Sequence, residues 1–353
     1  MKALLLAGGK GTRLRPLTDN LPKPMVPIMG TPLLERTINK LKKYGINEVI
    51  LSTCYKPQYI KNYIGNGEKL GVKVKYISED LPLGTGGAIK NSEKFFDDTF
   101  LILNSDIISN IPYDDFINYH KKKHAKVSIA MTEVKDPSQY GVIEFDKDNY
   151  ISAFKEKPKI GETNSKWINA GIYIFEPEVL NEIPKNEIVS IEKDTYPRLL
   201  RKGYKMAAYK YSDYWIDIGT IKKYVKANTD TLLDYYKTMS KDKKSFNINN
   251  LIINGKNISI SSSSHIVGPV FIGNNVVIKD NCKIGPYTII GNGTSIDSNC
   301  NVYKSILWDN VTIGRNTTLK NTIITSNYKI KPYCNIENKA CSTNDYNSDL
   351  LAI

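Results

Sequence analysis

The sequence predicts two architectures in series: an α/β domain with a mixed, mostly parallel sheet, then a parallel β-helix of hexapeptide repeats. Two observations carry this. Up to about residue 235 of the 353, apolar strand-like runs alternate with helical segments, the rhythm of a parallel-rich sheet covered by helices on both faces. From residue 252 the apolar residues recur every six positions instead, a period that neither a helix nor an ordinary strand gives.

In the first rhythm, "KALLLAG" (2–8), "EVILST" (48–53), "VKVKYIS" (72–78), "TFLILNSD" (99–106) and "KVSIAMTEV" (126–134) read as buried strands. The segments between them, "PLLERTINKLKKYG" (32–45), "PQYIKNYIG" (57–65), "GGAIKNSEKFF" (86–96) and "YDDFINYHKKKH" (113–124), carry helical spacing, and Gly45 is placed to end the first. Ligands on such sheets bind beyond the carboxyl ends of the strands. In the second rhythm Ile266, Ile272, Ile278, Ile284, Ile290, Ile296 and Val302 keep a strict period of six, which resumes after slips of one residue at Leu307, Ile313, Leu319, Ile324, Ile330 and Ile336. Three hexads make a coil, so residues 18 apart stack, and Cys282 and Cys300 are predicted to be stacked corner thiols. The expected division is a first domain over 1–235, a charged linker over 236–251, the β-helix over 252–340 and a frayed tail over 341–353.

Bulk properties narrow the classes. The hydrophobic fraction is 41%, ordinary for a globular protein, and no apolar stretch approaches the roughly 20 residues of a membrane span. Gly8-Gly9-Lys10 cuts the first apolar run short, so no secretory signal is expected. The five cysteines are scattered without C-x-x-C spacing, which suits free thiols in the cytoplasm and no zinc site. The net charge of +13 raises the question of nucleic acid. The lysines, however, are spread along the chain, and the abundance of Asn and Ile makes much of the Lys excess a matter of overall composition. The expected partners are small polyanions, with neither nucleic acid nor membrane.

Residues 4–25, "LLLAGGKGTRLRPLTDNLPKPM", follow the first strand. Gly8, Gly9 and Gly11 let backbone N–H groups approach a ligand, and Arg13 and Lys23 add positive charge, a combination suited to a polyphosphate. Neither G-x-x-x-x-G-K-[ST] nor G-x-G-x-x-G is present, since the third Gly of the latter falls on Leu14. The full string, ending in Val26-Pro27, is more specific. It resembles the signature of the sugar-phosphate nucleotidyltransferases and, within them, the mannose-1-phosphate guanylyltransferases. The resemblance extends through "PLGTGGAI" (82–89), "NSDI" (104–107), "YGVIEFD" (140–146), "FKEKP" (154–158), "INAGIYIF" (168–175), "SIEKDTYPRLL" (190–200) and "WIDIG" (215–219), and so covers nearly the whole chain.

The resemblance implies a Rossmann-like (GT-A-like) catalytic domain followed by a left-handed β-helix. It implies attack by a sugar 1-phosphate on the α-phosphorus of a nucleoside triphosphate, with Mg²⁺ as cofactor. Such an in-line displacement needs positioning and charge neutralisation more than a covalent nucleophile. Of the three histidines, His120 and His124 lie in a Lys-rich helix and are expected to be solvated, and His265 opens the β-helix.

On this reading Leu6, Ala7, Gly8, Gly9, Gly11, Thr12, Arg13, Lys23, Glu79, Gly84 and Thr85 bind the nucleotide, while Gly141, Glu156, Lys157 and Asn169 form the sugar-phosphate pocket. Arg13 and Lys23 stabilise the leaving pyrophosphate, and Asp106 and Asp217 hold Mg²⁺, which favours one or two carboxylates plus ligand phosphates. Glu79 points to guanine. An ionised carboxylate only accepts hydrogen bonds, and guanine offers N1–H and N2–H₂ side by side. In uridylyl and thymidylyl relatives a glutamine tends to stand there.

The competing readings are a glucose-1-phosphate uridylyl- or thymidylyltransferase, a manno-heptose-1-phosphate guanylyltransferase, an acyltransferase, and a non-catalytic nucleotide-sugar-binding regulatory subunit. The repeats after residue 270 contain no histidine and no long insertion, which disfavours acyl transfer. Arg13, Lys23, Asp106 and Asp217 are all present, which disfavours the regulatory subunit. The β-helix is expected to support a homo-oligomer.

Overall fold

The computed structural model describes residues 1–79, 81–159, 161–240, 248–343 and 351–352. The chain divides into two compact units, one of Met1–Lys10, Pro22–Pro24 and Leu34–Asp217, the other of Gly11–Leu21, Met25–Leu33 and Ile218–Ile353. Among the described residues no helix is long and apolar enough to cross a membrane.

The first unit is built on a nine-stranded mixed sheet. Its parallel half consists of β1 (Ala3–Leu6), β2 (Glu48–Thr53), β3 (Lys73–Ser78) and β4 (Phe100–Asn104), with β1 between β4 and β2. The helices α1 (Leu33–Lys43), α2 (Pro57–Ile64) and α3 (Gly84–Asn91) connect these strands as the alternating pattern requires. A short strand β5 (Ile107–Ser109) and α4 (Tyr113–Lys123) follow. The other half contains β6 (Val127–Glu133), the antiparallel pair β7 (Gly141–Phe145) and β8 (Ile151–Glu156), the long β9 (Trp167–Phe175) and, after α5 (Tyr196–Arg201), β10 (Met206–Lys210). β9 runs antiparallel to β4, β6 and β7 and so joins the two halves. β11 (Trp215–Asp217) leaves this sheet and pairs antiparallel with β5. Residues such as Leu4, Ile50, Ile102, Ile129, Tyr173 and Phe175 are fully buried, and β-branched and aromatic side chains on strands buried from both faces account for the continuous apolar runs.

One expectation here is overturned. His120 is not solvated: it is 1% exposed. It shares a helix face with Tyr113 and Phe116, the 3–4 spacing that points a side chain inward. Its ring nitrogens meet Ser128 Oγ at 2.8 Å and Glu176 Oε1 at 3.1 Å, so the buried polar ring is satisfied.

The second unit contains three parallel sheets of short strands, the faces of the expected β-helix. Ile266 stacks on Ile284, Ile272 on Ile290 and Ile278 on Ile296, a rise of 18 residues per coil. After the slip, Ile290 stacks on Leu307, Ile296 on Ile313 and Val302 on Leu319, a rise of 17. Cys282 and Cys300 are buried free thiols in this core. Asparagine has a specific job in the turns. Asn257, Asn275, Asn281, Asn299, Asn310, Asn316, Asn321, Asn327 and Asn338 all have φ between 51° and 62°, the left-handed region that Asn tolerates best after Gly. Several pair coil to coil, as in Asn321 Nδ2 to Asn338 Oδ1 at 2.8 Å. The abundance of Asn in these repeats therefore has a role in turn chemistry.

A 20-residue helix, α6 (Ile221–Ser240), belongs to this unit. The Tyr224 hydroxyl donates to Pro27 O at 2.9 Å and accepts from Trp308 Nε1 at 2.8 Å, and Asn228 Oδ1 accepts from the Met29 N–H at 2.9 Å. α6 thus continues through the first residues of the expected linker, of which 241–247 lie outside the described residues. Of the expected tail, Cys341 ends a paired strand and Leu351–Ala352 pairs back onto Lys339 and Ala340, while 344–350 and 353 lie outside the described residues.

Candidate active site

The carboxyl ends of β1, β2 and β4 are in register: Leu6 pairs with both Ser52 and Asn104. The Ala7 N–H donates to Ser52 O at 2.8 Å and Ser105 Oγ donates to Leu6 O at 2.6 Å. These bonds fix the start of the glycine turn and the residue before Asp106 at the edge where such sheets bind ligands. A Cβ at Gly8 would stand 3.3 Å from the Cys54 Cβ, whereas one at Gly9 would meet open space. Gly11, Thr12 and Arg13 belong to the second unit. Gly11 is left-handed at φ 66°, and its carbonyl accepts from the Leu14 N–H at 2.9 Å, which closes the 3₁₀ turn Thr12–Leu14, and from Thr18 Oγ1 at 2.8 Å; Arg13 is exposed.

Lys23 forms an ion pair with Asp106, Nζ to Oδ2. The Lys23 side chain is 12% exposed and that of Asp106 30%, so little water screens the pair. Asp217 enters through the pairing of β5 with β11, where it lies opposite Ile107, next to Asp106. The Tyr140 hydroxyl donates to Asp217 Oδ1 at 3.0 Å. Among the described residues no group of three or more His, Cys, Asp or Glu gathers into a metal cage. The pairing instead sets Asp217 opposite the residue that follows Asp106, and hard carboxylates are the donor type that fits a Mg²⁺ completing its shell from phosphates and water.

Of the sugar-pocket residues of the sequence, Gly141, Glu156 and Lys157 are neighbours. Gly141 pairs with Glu156 across β7 and β8, and a Cβ at Gly141 would lie 2.9 Å from Glu156 Oε2 and 2.5 Å from Phe154 Cζ. A side chain at Gly141 would make the Phe154 ring and the Glu156 carboxylate shift. Burial raises the Glu156 carboxyl from its ordinary value, and the nearby Glu192 charge adds to this. Lys157 is left-handed at φ 50°, its N–H donates to Tyr140 O at 3.0 Å, and its ammonium stands 3.7 Å from Glu156 Oε1. Asn169 spends its amide locally, donating to the Tyr173 hydroxyl at 2.8 Å and accepting from the Gly171 N–H at 2.9 Å, where β9 and β6 slip register.

On the nucleotide side, Glu79 accepts from Ser52 Oγ at 2.6 Å through Oε1 and from the Leu83 N–H at 3.1 Å through Oε2. Its carboxylate therefore pins the loop from β3 to α3. Gly84 has φ 74° and lies against the Val189 carbonyl, which accepts from the Gly86 N–H at 2.7 Å. Thr85 Oγ1 donates to Glu192 Oε2 at 2.8 Å and accepts from the Ile191 N–H at 3.0 Å. Tyr140, Ser52 and Glu192 are the residues that sequence reasoning missed. Tyr140 and Glu192 stand inside the strings "YGVIEFD" and "SIEKDTYPRLL", so the signal was present without a role.

Cationic and anionic side chains at the carboxyl edge of an α/β sheet, beside a glycine turn, mark the class of α/β proteins suited to phosphorylated ligands. The comparisons narrow that class. Residues 2–233 match the nucleotidyl transferase family, and the chain belongs to it. Residues 266–348 match the GMPPB C-terminal domain. The mannose-1-phosphate guanylyltransferase of Mycobacterium tuberculosis is 39% identical over 230 residues, which are 65% of this chain and 64% of that protein. The UTP–glucose-1-phosphate uridylyltransferase of Synechocystis sp. is 35% identical over 241 residues, 64% of this chain and 62% of that protein. The chain thus spans less than two thirds of the length of these relatives. The crystal structure of HddC from Yersinia pseudotuberculosis complexed with GMP-PN is 33% identical with a TM-score of 0.57, over 65% of this chain and 99% of that one.

Proposed function

We propose that the chain transfers a guanylyl group from GTP to mannose 1-phosphate, giving GDP-mannose and pyrophosphate. A phosphate oxygen of the sugar phosphate attacks the α-phosphorus, the bond from that phosphorus to the α,β-bridging oxygen breaks, and pyrophosphate carries the charge away. The single observation that most supports the reading is the Lys23–Asp106 ion pair at the sheet's carboxyl edge, with Asp217 paired opposite the residue after Asp106. Asp106 and Asp217 would hold Mg²⁺, whose chemistry when bound is to neutralise phosphate oxygens and orient them. Lys23 is assigned to the same phosphates, and Arg13 joins it on the strength of its motif. Leu6, Ala7, Gly8, Gly9, Gly11, Thr12, Gly84 and Thr85 are assigned to the nucleotide on the strength of their motifs. Gly141, Glu156, Lys157 and Asn169 receive the sugar phosphate.

Guanine is assigned through Glu79. Each of its oxygens accepts one internal bond and retains a further lone-pair direction for a donor. A uridylyl reaction is the second reading, favoured by the 35% identity to a uridylyltransferase. All the chemistry is assigned to residues 1–235, with 236–251 as connection and the β-helix 252–340 and tail 341–353 as the part that assembles a homo-oligomer. The exposure of Val267, Val277 and Tyr333 on the coils supports that assembly, and five free cysteines suit a cytoplasmic setting. The deciding experiment measures pyrophosphate release across GTP, UTP, dTTP and ATP against mannose, glucose and manno-heptose 1-phosphates. The expected best pair is GTP with mannose 1-phosphate, and a pyrimidine nucleotide as best substrate overturns the guanylyl reading.

A further inference from the structure

We infer that Tyr140 is a positioning residue: its hydroxyl sets the Asp217 carboxylate, and its backbone ties that carboxylate to the sugar-side lysine. The inference rests on the reading above, in which Asp217 and Lys157 serve the reaction. Three contacts carry it. The phenol donates to Asp217 Oδ1 at 3.0 Å, a bond from a neutral donor to a charged acceptor and so stronger than the ordinary kind. The ring lies edge-on to Trp215 with centroids 5.9 Å apart and planes at 68°. Trp215 is in turn fixed by its Nε1–H, which donates to Ala170 O at 2.9 Å. The Tyr140 carbonyl accepts the Lys157 N–H at 3.0 Å, at the point where Lys157 turns left-handed out of β8.

The arrangement has a mechanical consequence. Asp217 is the last residue of a three-residue strand, so the strand alone does little to fix its side-chain rotamer. A carboxylate that must meet a small cation with strict geometry needs a partner that selects one rotamer, and such partners commonly alter metal affinity by about 10- to 100-fold. Tyr140 occupies that position while its own backbone is held from both sides. Its N–H donates to Pro137 O at 3.0 Å, and its carbonyl holds Lys157. The sugar-phosphate lysine and the metal carboxylate are therefore registered against each other through one residue.

The test is Tyr140→Phe, which removes one oxygen and keeps the ring against Trp215. Mn²⁺ binding is measured by electron paramagnetic resonance on the full chain with saturating α,β-methylene-GTP, and again with the UTP analogue, beside steady-state kinetics and thermal unfolding. The expected result is Mn²⁺ binding weakened about 10-fold, kcat lowered by a similar factor, KM for both substrates within about twofold, and an unchanged melting temperature. Mn²⁺ affinity equal to that of the wild type overturns the inference, as does a loss of Mn²⁺ binding matched by a collapsed melting temperature. If the wild type turns over no nucleotide–sugar phosphate pair but Tyr140→Phe still weakens Mn²⁺ binding, the proposed reaction fails and the positioning role stands. If the wild type binds no Mn²⁺, both fall.

Discussion

Asp106 and Asp217 are 111 positions apart in the sequence, yet Asp217 lies opposite Ile107, the very next residue after Asp106, in the pairing of β5 with β11. Neither strand belongs to the main sheet. The two-stranded piece thereby sets the segment of Asp217 against the segment that follows Asp106. Lys23 offsets the charge of Asp106 through their ion pair. A divalent cation would offset more.

The first prediction follows from this pairing. Asp106→Asn and Asp217→Asn each keep size and remove one charge. Each is expected to lower kcat by about 100-fold or more, with far-ultraviolet circular dichroism and melting temperature close to the wild type. Turnover near the wild-type rate in both variants at saturating Mg²⁺ would rule out these ligands.

Much of this architecture is legible in the sequence because the signals are periodic. Alternating apolar runs fix the sheet edge, and the six-residue period fixes the coils, down to the stacking of Ile266 on Ile284. Contacts that join distant segments through one side chain are not periodic and leave no local trace. Tyr140 on Asp217 and Thr85 on Glu192 are of this kind. His120 shows the opposite failure. Its Lys-rich neighbours suggest solvent, but the helical face set by Tyr113 and Phe116 decides its fate. The shift from 18 to 17 residues per coil is visible only as a slip in the pattern, and the structure absorbs it without losing the stack.

The second prediction concerns the second unit. Tyr224 is fully buried, and its hydroxyl satisfies both the Pro27 carbonyl and the Trp308 indole N–H. Tyr224→Phe leaves both groups unpaired, which costs about 1–3 kcal/mol. A melting temperature lower by a few degrees is expected, about 2–4 °C per kcal/mol at this size. Trp308→Phe should remove part of the same network, so the double variant should lose less than the sum of the two. Strict additivity in thermal unfolding would show that the two residues do not act together.

The third prediction is a pH dependence. Burial and the Glu192 charge raise the Glu156 carboxyl in the folded protein. Below the ordinary carboxylate range it is protonated in both folded and unfolded chains and contributes nothing. As pH rises past that range the unfolded chain ionises first, and the folded protein is penalised for holding the charge. Glu156→Gln removes the penalty. The variant should melt higher than the wild type at about pH 8, and the gap should close near about pH 3.5. Melting curves across that span check it, and a variant no more stable at neutral pH would contradict the assigned cause.

The last prediction tests the base. Glu79→Gln is a sharp probe because the loop contacts survive it. The amide oxygen can still accept the Leu83 N–H, and the amide nitrogen can donate to Ser52 Oγ, whose hydroxyl rotates to suit. What changes is the face offered to the nucleotide, where one acceptor becomes a donor. A mispaired buried polar group costs about 1–3 kcal/mol, roughly ten- to a hundredfold in specificity. GTP use should fall, and UTP or dTTP use should rise relative to it. Arg13→Ala should impair every triphosphate alike, because phosphates carry no base identity. The measurement is kcat/KM for the four nucleotides in the wild type and both variants. An unchanged ranking in Glu79→Gln would leave Glu79 as a loop clamp alone and overturn the guanine assignment.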